Sequence, residues 1–406
     1  LVPRPDLVVI GNAVSRNNPE AEAVLAQGIE YISFPQALGR FLIGERRSLV
    51  IAGTHGKTTT SALAAWVLTS AGLAPGFFVG GVPVNFGSGW NAGTGEHVVL
   101  EGDEYDTAFF DKGPKFLHYR PRNVILTSIE FDHADIYRDL DHVKSAFAKL
   151  IDIVPADGSV VVCSDYPEAV AVARDAKAHL TTYGESGDWT AKNIRFDQGR
   201  SIFEACFKGQ SQGSIEASVI GRHNVKNALA VYVMGRSLGI AHGRLIEGFR
   251  TFKGVKRRQE VRGEKRGVLV IDDFAHHPTA VRETIEAMRG AYAGRRLWAI
   301  FEPRSNTSKR NVFEKEFAAA LALADKTIVA AVYQPEKVPE DQRLSVDGMV
   351  SEINRVGGAG RALTIAGSAD IAEYVARNSR TGDVLLVMSN GGFDAVHDKI
   401  LQALTD

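Results

Sequence analysis

Short apolar runs alternating with stretches of helical period fill most of the chain. Leu49 to Ala52, Val98 to Glu101, Asn123 to Ile129, Ser159 to Cys163 and Thr181 to Tyr183 read as strands, with helices such as Ser61 to Ala71 and Asp141 to Ile151 between them. Strands buried on both faces lose the in-and-out alternation and read as continuous apolar runs, so this pattern predicts a parallel sheet covered by helices. Ala191 to Val219 breaks it: alternation with Gly199 and Gly209 as turns predicts short antiparallel strands, after which Asn224 to Leu238 returns to helical period. A second break, basic and glycine-punctuated, comes at Thr251 to Arg262. Beyond it Gly267 to Asp272, Arg295 to Phe301, Lys326 to Ala331 and Asp383 to Met388 predict a further α/β domain.

The opening is different. Asp6 to Asn12 reads as a buried strand and loop and Asn18 to Gln27 as a helix. Such a strand calls for parallel neighbours on both sides. The expectation is that the chain starts partway through an N-terminal α/β domain; Leu1 to Arg4 reads equally as a protease-site remnant or as native sequence. The expected division is 1–47, 48–254 and 255–406, without internal repeats.

Composition narrows the function. The 406 residues are 45% hydrophobic and 23% charged, ordinary for a globular protein of two to three domains. A formal net charge of -1 argues against a broad footprint for nucleic acid or anionic membrane, so Lys256-Arg257-Arg258 reads as local anion contacts or a solvated face. Two cysteines, Cys163 and Cys206, are too few for a disulfide framework or a thiolate metal site. No apolar run approaches the ~20 residues of a membrane span, and a cytoplasmic location is expected.

The chemistry concentrates at strand ends. After Leu49 to Ala52 come Gly53, Thr54, His55, Gly56, Lys57, Thr58 and Thr59, a shortened phosphate loop in which Ile51 stands where a full Walker motif has glycine. Its glycines let backbone N–H groups turn inward, the following helix aims its positive end at an anion, Lys57 supplies a cation, and Thr58 offers a magnesium ligand. Glu101 closes the next apolar strand and is the candidate acid opposite Thr58; the alternative is a solvated acidic loop. His133, after Asn123 to Ile129, falls on the same edge, suited to metal or phosphate, and with Glu101 is a candidate seat for a second ion. Asn224 and Asn227, one turn apart, are placed to read an adenine edge, or Asn224 caps its helix. Asp272 to Pro278 ends a strand where ribose or phosphate contacts are common, and Glu302 to Thr307 ends the next, with Arg304 suited to a substrate carboxylate.

Taken together, in this order, these elements resemble the Mur ligase family over essentially the whole chain. The resemblance implies an α/β, three-domain Mur ligase architecture: a partial N-terminal Rossmann-like domain for a UDP-sugar, a central P-loop ATPase-type domain and a C-terminal Rossmann-like domain for a peptide. It implies ATP and Mg2+ as cofactors, with Lys57, Glu101 and His133 catalytic and Thr58, Glu101 and His133 around the metal. Gly53 to Thr59, Asn224, Asn227, Arg258 and Asp273 would contact ATP, and Arg304, Ser305, Asn306 and His276 the peptide. Ala275 to Pro278 and the Gly53-Thr54-His55-Gly56 form of the loop resemble the branch that uses UDP-N-acetylmuramate as carboxyl substrate, and within it Glu104 to Lys112, Glu130 to Asp135, Glu302 to Thr307 and Ser389 to Phe393 resemble the members that join it to the murein tripeptide L-alanyl-γ-D-glutamyl-meso-diaminopimelate. The implied route is an acyl phosphate, in a site completed by domain closure. The rival readings are the sibling that adds L-alanine and a nucleotide-binding relative without chemistry. Two departures stand out: the glycine-rich uridine-diphosphate loop of the family does not precede Asp6, and neither Lys144 nor Lys149 matches the carbamylated lysine of some members.

Overall fold

Ser48 to Ala52 has no polar face to offer water, and it forms the fully buried strand around which the first half of the protein is built. The computed structural model describes residues 2–197 and 199–404; Leu1, Gln198, Thr405 and Asp406 lie outside the described residues. The chain divides into two units, one of residues 2–194, 202–218 and 224–253, the other of residues 195–197, 199–201, 219–223 and 254–404.

The first unit opens with β1 (Leu7–Ile10) and β2 (Glu30–Ser33), a parallel pair. Val9 is 45% exposed and β1 pairs on one side, so the expected doubly flanked, buried strand is not found among the described residues. Then come β3 (Arg47–Ala52), β4 (Gly76–Phe78), β5 (Trp90–Asn91), β6 (His97–Gly102), β7 (Asp106–Ala108), β8 (Asp111–Pro114) and β9 (Pro121–Leu126). They are followed by β10 (Ser159–Cys163), β11 (His179–Tyr183), β12 (Trp189–Asp197), β13 (Arg200–Phe207) and β14 (Gln210–Ala217). The sheet order is β14-β13-β12-β11-β10-β9-β3-β6-β4-β5. Its centre, β10 to β9 to β3 to β6 to β4, is parallel as the apolar runs predict. Lys208 and Gly209, both at positive φ, link β13 to its neighbour β14, and so short a link joins only antiparallel strands.

Two helices show what periodicity can and cannot reveal. Leu140–Asp152 is close to expectation: Asp139 caps it by accepting from His142 N at 2.8 Å, and Val143, Ala146, Phe147, Leu150 and Ile151 face the core containing Val124, Leu126, Val160 and Val162. Lys57–Ser70, by contrast, starts well before Ser61. Thr58, Thr60 and Ser61 are buried there, and hydroxyl residues in a buried first turn leave no apolar stripe to read.

In the second unit β15 (Glu260–Lys265), β16 (Val268–Asp273), β17 (Leu297–Phe301), β18 (Lys326–Val329), β19 (Ala362–Thr364) and β20 (Val384–Met388) form a sheet of order β15-β16-β20-β17-β18-β19. All are parallel except the edge strand β15, which pairs antiparallel with β16 through a bulge between Val261 and Gly263. Part of Thr251 to Arg262, expected as a break, therefore belongs to a strand; its residues are mostly exposed on both faces and carry no alternation. Buried side chains cover both faces of the sheet. Among the described residues no helix is long and apolar enough to cross a membrane.

Leu150 is fully buried and its neighbour Lys149 is exposed. Leu150→Ala should cost about 2–5 kcal/mol in urea unfolding, whereas Lys149→Ala should stay within about 0.5 kcal/mol.

Candidate active site

Because β3 runs parallel between β6 and β9, with Ala52 opposite Gly102 on one side and Leu126 on the other, three carboxyl ends meet at one edge of the first unit. The loop after β3 is fixed by the chain that follows β9. Thr54 N donates to Ser128 O at 3.0 Å, His55 N to Ser128 Oγ at 2.9 Å, Thr127 Oγ1 to His55 O at 2.6 Å and Glu130 N to Thr54 Oγ1 at 2.9 Å. His55 Nε2 also lies 2.6 Å from Glu130 Oε2. Gly53 and Gly56 have φ of 129° and 79°, and an added Cβ would meet Thr127 Oγ1 at 2.3 Å or Asn227 Oδ1 at 2.7 Å. Glycine is required at both places for conformation and for space.

The side chains converge. Thr58 Oγ1 donates to Glu101 Oε1 at 2.8 Å, and Gly80 N donates to Glu101 Oε2 at 2.7 Å. A hydroxyl and a carboxylate side by side are hard oxygen donors, a set that fits magnesium. Lys57 Nζ donates to Gly53 O at 2.6 Å and to Glu104 at 2.8 Å. His133 Nε2 lies 3.2 Å from the other oxygen of Glu104. His133 itself has φ of 55°, held by its N–H on Asp132 Oδ1 at 2.7 Å and by its carbonyl, which accepts from Ile136 N and Tyr137 N. A non-glycine residue kept in that conformation marks a place where the fold accepts local cost.

Glu104 is 2% exposed. Burial alone would raise its carboxyl, but the charges and hydrogen bonds of Lys57 and His133 outweigh it and bring the group down to about 2. Burial likewise works against the Lys57 ammonium, and Glu104, Asp103 and Glu101 overcome it, leaving the ammonium above its ordinary value. For His133, too, burial opposes the charge, and the bond to Glu104 raises the imidazole nonetheless.

Asn224 and Asn227 lie buried inside the helix Arg222–Ser237, joined by Asn227 Nδ2 donating to Asn224 Oδ1 at 3.1 Å. Since the helix starts at Arg222, Asn224 does not cap it. Asn227 also borders Gly56, so the pair stands beside the phosphate loop. Glu101 and His133, paired in the sequence reading, are instead held by different partners, with Glu104 as the carboxylate on His133. Lys144 keeps ion pairs with Glu168 at 2.7 Å and Asp141 at 3.2 Å.

In the second unit Asp273 is buried at the end of β16 and accepts from Gln259 N and Ala275 N, both at 2.8 Å. Burial pushes its carboxyl up against the pull of Arg258 and these bonds, and the Arg258 guanidinium lies 4.6 Å from the Phe274 ring centre. Arg258 and Asp273 are thus neighbours. Arg304, after β17, stacks 3.6 Å from the Tyr333 ring centre and lies 3.5 Å from Glu302, which accepts from Ser389 Oγ at 2.5 Å. Ser305 is occupied with its own turn, its hydroxyl donating to Ser308 Oγ and accepting from Ser308 N, each at 2.9 Å. His276 follows β16 and bonds locally, Nδ1 lying 2.9 Å from Phe274 O. Asn306 sits in the Arg304 turn. Glu104 and Tyr333 were not singled out by sequence reasoning as site residues: Glu104 hides in an acidic run that looks solvated, and Tyr333 lies far along the chain.

Comparison with known proteins agrees with this geometry. Residues 51–235 match the Mur ligase middle domain, and residues 257–391 match the Mur ligase glutamate ligase domain. The chain is 40% identical over 410 residues to the UDP-N-acetylmuramate–L-alanyl-γ-D-glutamyl-meso-2,6-diaminoheptandioate ligase of Escherichia coli, covering 100% of this chain and 86% of that protein. It is 36% identical over 337 residues to the UDP-N-acetylmuramate–L-alanine ligase of Salinibacter ruber, covering 82% of this chain and 69% of that one. A solved murein peptide ligase from Psychrobacter arcticus superimposes with a TM-score of 0.70 at 34% identity, covering 99% of this chain and 86% of that one. The chain belongs to the Mur ligase family, and its α/β fold is that of the family.

Gly56→Ala should cost about 1–2 kcal/mol for its left-handed backbone, plus the displacement of Asn227. Combined with Asn227→Ala, which makes room for the new methyl, the loss measured by thermal unfolding should fall short of the sum of the two single changes.

Proposed function

We propose that the protein is an ATP-dependent, ADP-forming ligase that joins L-alanyl-γ-D-glutamyl-meso-diaminopimelate to UDP-N-acetylmuramate, a cytoplasmic step in reuse of peptidoglycan fragments. The observation that carries this is the 40% identity over the whole chain to a tripeptide ligase, against 36% over 82% of it to an alanine ligase. In this reading residues 1–47 belong to a UDP-sugar-binding domain, 48–254 bind ATP, and 255–406 bind the peptide.

A carboxylate is a poor electrophile with a poor leaving group, and phosphorylation cures both. The lactoyl carboxylate attacks the γ-phosphorus of ATP, ADP departs, and an acyl phosphate forms. The alanyl amine then adds to its carbonyl, and the tetrahedral intermediate collapses by expelling inorganic phosphate. Within the loop Gly53 to Thr59, Ser128 holds the N–H groups of Thr54 and His55 and so shapes the turn, the N–H groups of Gly56 to Thr59 at the helix start cradle the phosphates, and Lys57 offsets charge on the transferring group. Thr58, Glu101 and His133 would hold magnesium, which supplies further charge neutralisation on the phosphate oxygens. Asn224 and Asn227 read the adenine, and Arg258 and Asp273 complete the nucleotide contacts. Arg304, its guanidinium stacked on Tyr333, presents its fork to a peptide carboxylate, with Ser305 building the turn, and Asn306 in that turn and His276 after β16 lining the peptide site.

Lys57→Ala should lower tripeptide-dependent ADP release by roughly 10²–10³-fold while the unfolding transition persists. Arg304→Ala should raise the tripeptide KM about 10- to 100-fold and leave the ATP KM nearly unchanged. ADP release and ligated product should appear with the tripeptide and not with free L-alanine; the reverse would make the alanine-adding reaction the correct one, and neither would favour a nucleotide-binding relative.

A further inference from the structure

From Glu101, near the end of β6, to Asp106, which opens β7, the chain carries four carboxylates, and each has a different partner. Glu101 holds Thr58 and Gly80, Asp103 pairs with Lys115 at 2.6 Å, and Asp106 pairs with Lys112 at 2.6 Å. Of the four, Glu104 alone turns fully inward, and there it meets two cationic partners, the phosphate-loop lysine and the histidine after β9. Its own backbone is anchored as well, since Tyr137 Oη donates to Glu104 O at 2.7 Å. Tyr105 closes the other side, its ring centre 4.2 Å from that of His133. A buried charge is costly unless it is paired, and removing one partner leaves the other exposed to that cost.

We propose that Glu104 is a positioning residue of the phosphate site, one carboxylate that fixes Lys57 Nζ and His133 Nε2 relative to each other. It has a separate effect on each partner. Lys57 has three ammonium protons: Gly53 O takes one at 2.6 Å, Glu104 takes a second across both carboxylate oxygens, Oε2 at 2.8 Å and Oε1 at 3.1 Å, and the third, weakly engaged by Thr54 O at 3.4 Å, is available to a phosphate oxygen. On His133 the carboxylate holds the Nε2 side and so orients the ring; in the neutral tautomer the proton sits on Nε2 towards Glu104, and Nδ1 is the nitrogen that a cation would use, the usual arrangement in which a carboxylate orients a ligating imidazole. Glu104 also places a negative charge beside bound phosphates, so it serves geometry at some expense to ground-state nucleotide affinity.

This inference rests on the ligase reading for its kinetic part only. Glu104→Gln keeps the shape, loses the charge and gives up one of the two acceptor contacts. In tripeptide-dependent turnover its kcat should fall at least tenfold, while ATP binds equally well or more tightly, by KM and by direct titration with Mg-ATP in the absence of the other substrates. Glu104→Asp restores the charge on a side chain about 1.5 Å shorter, which reaches one partner but not both. Metal-free thermal stability should therefore recover towards wild type in Glu104→Asp while kcat stays low. A Glu104→Gln protein with kcat within twofold of wild type, or one whose nucleotide affinity weakens, overturns the proposal; so does full recovery of kcat in Glu104→Asp. Failure of the wild-type protein to ligate the tripeptide would instead refute the assigned reaction, and the Mg-ATP titration of Glu104→Gln would still test Glu104.

Discussion

The parallel alignment of β6, β3 and β9 is the constraint on which the rest of the candidate site depends. Each strand ends in residues of different chemistry: a phosphate loop after β3, oxygen acids after β6, and a carboxylate and histidine after β9. Parallel pairing in register puts these three ends together without any contact having to bring them there. The bonds between Thr54, His55, Thr127, Ser128 and Glu130 then lock one end to another, so the loop is shaped before nucleotide arrives. Preorganisation of this kind is where a phosphoryl-transfer enzyme obtains much of its effect, because the chemistry needs placed charges more than it needs reactive groups.

A cost accompanies that placement. Lys57, Glu104 and His133 are all largely withdrawn from water, and none would be stable there as a lone charge. Together they form a small charged network whose members offset one another's desolvation, and the shift of each group reflects this: burial opposes every charge and the neighbours prevail. The left-handed backbone at His133 is a further local cost borne at the same spot. The second unit shows a related device, in which the buried Asp273 is tied to backbone N–H groups of Gln259 and Ala275.

Strand-forming runs were the most legible part of the chain. Ser159 to Cys163 and Val98 to Glu101 announce themselves because a buried parallel strand is apolar throughout. Structure without an apolar signature is not legible in this way, as in the hydroxyl-rich first turn after Lys57 and the exposed edge strand β15, and the apolar composition of β1 suggests more burial than its single pairing gives. The phosphate loop, Glu101, His133 and the asparagine pair were legible from order along the chain, and the structure brings them to one edge of the first unit. Glu104 was not, because whether an acid in an acidic run faces water or the interior is decided by which lysine and histidine stand opposite, and those lie 47 and 29 residues away in sequence. Tyr333 is hidden for the same reason, since stacking against Arg304 depends on adjacency of strands, not of residues.

The central claim is that an acid is activated by phosphorylation before an amine meets it. UDP-N-acetylmuramate carrying ¹⁸O in its lactoyl carboxylate tests this most directly, with the inorganic phosphate released during tripeptide ligation analysed by mass spectrometry. An acyl-phosphate route transfers one labelled oxygen to each phosphate. Ligated product accompanied by unlabelled phosphate would contradict the account.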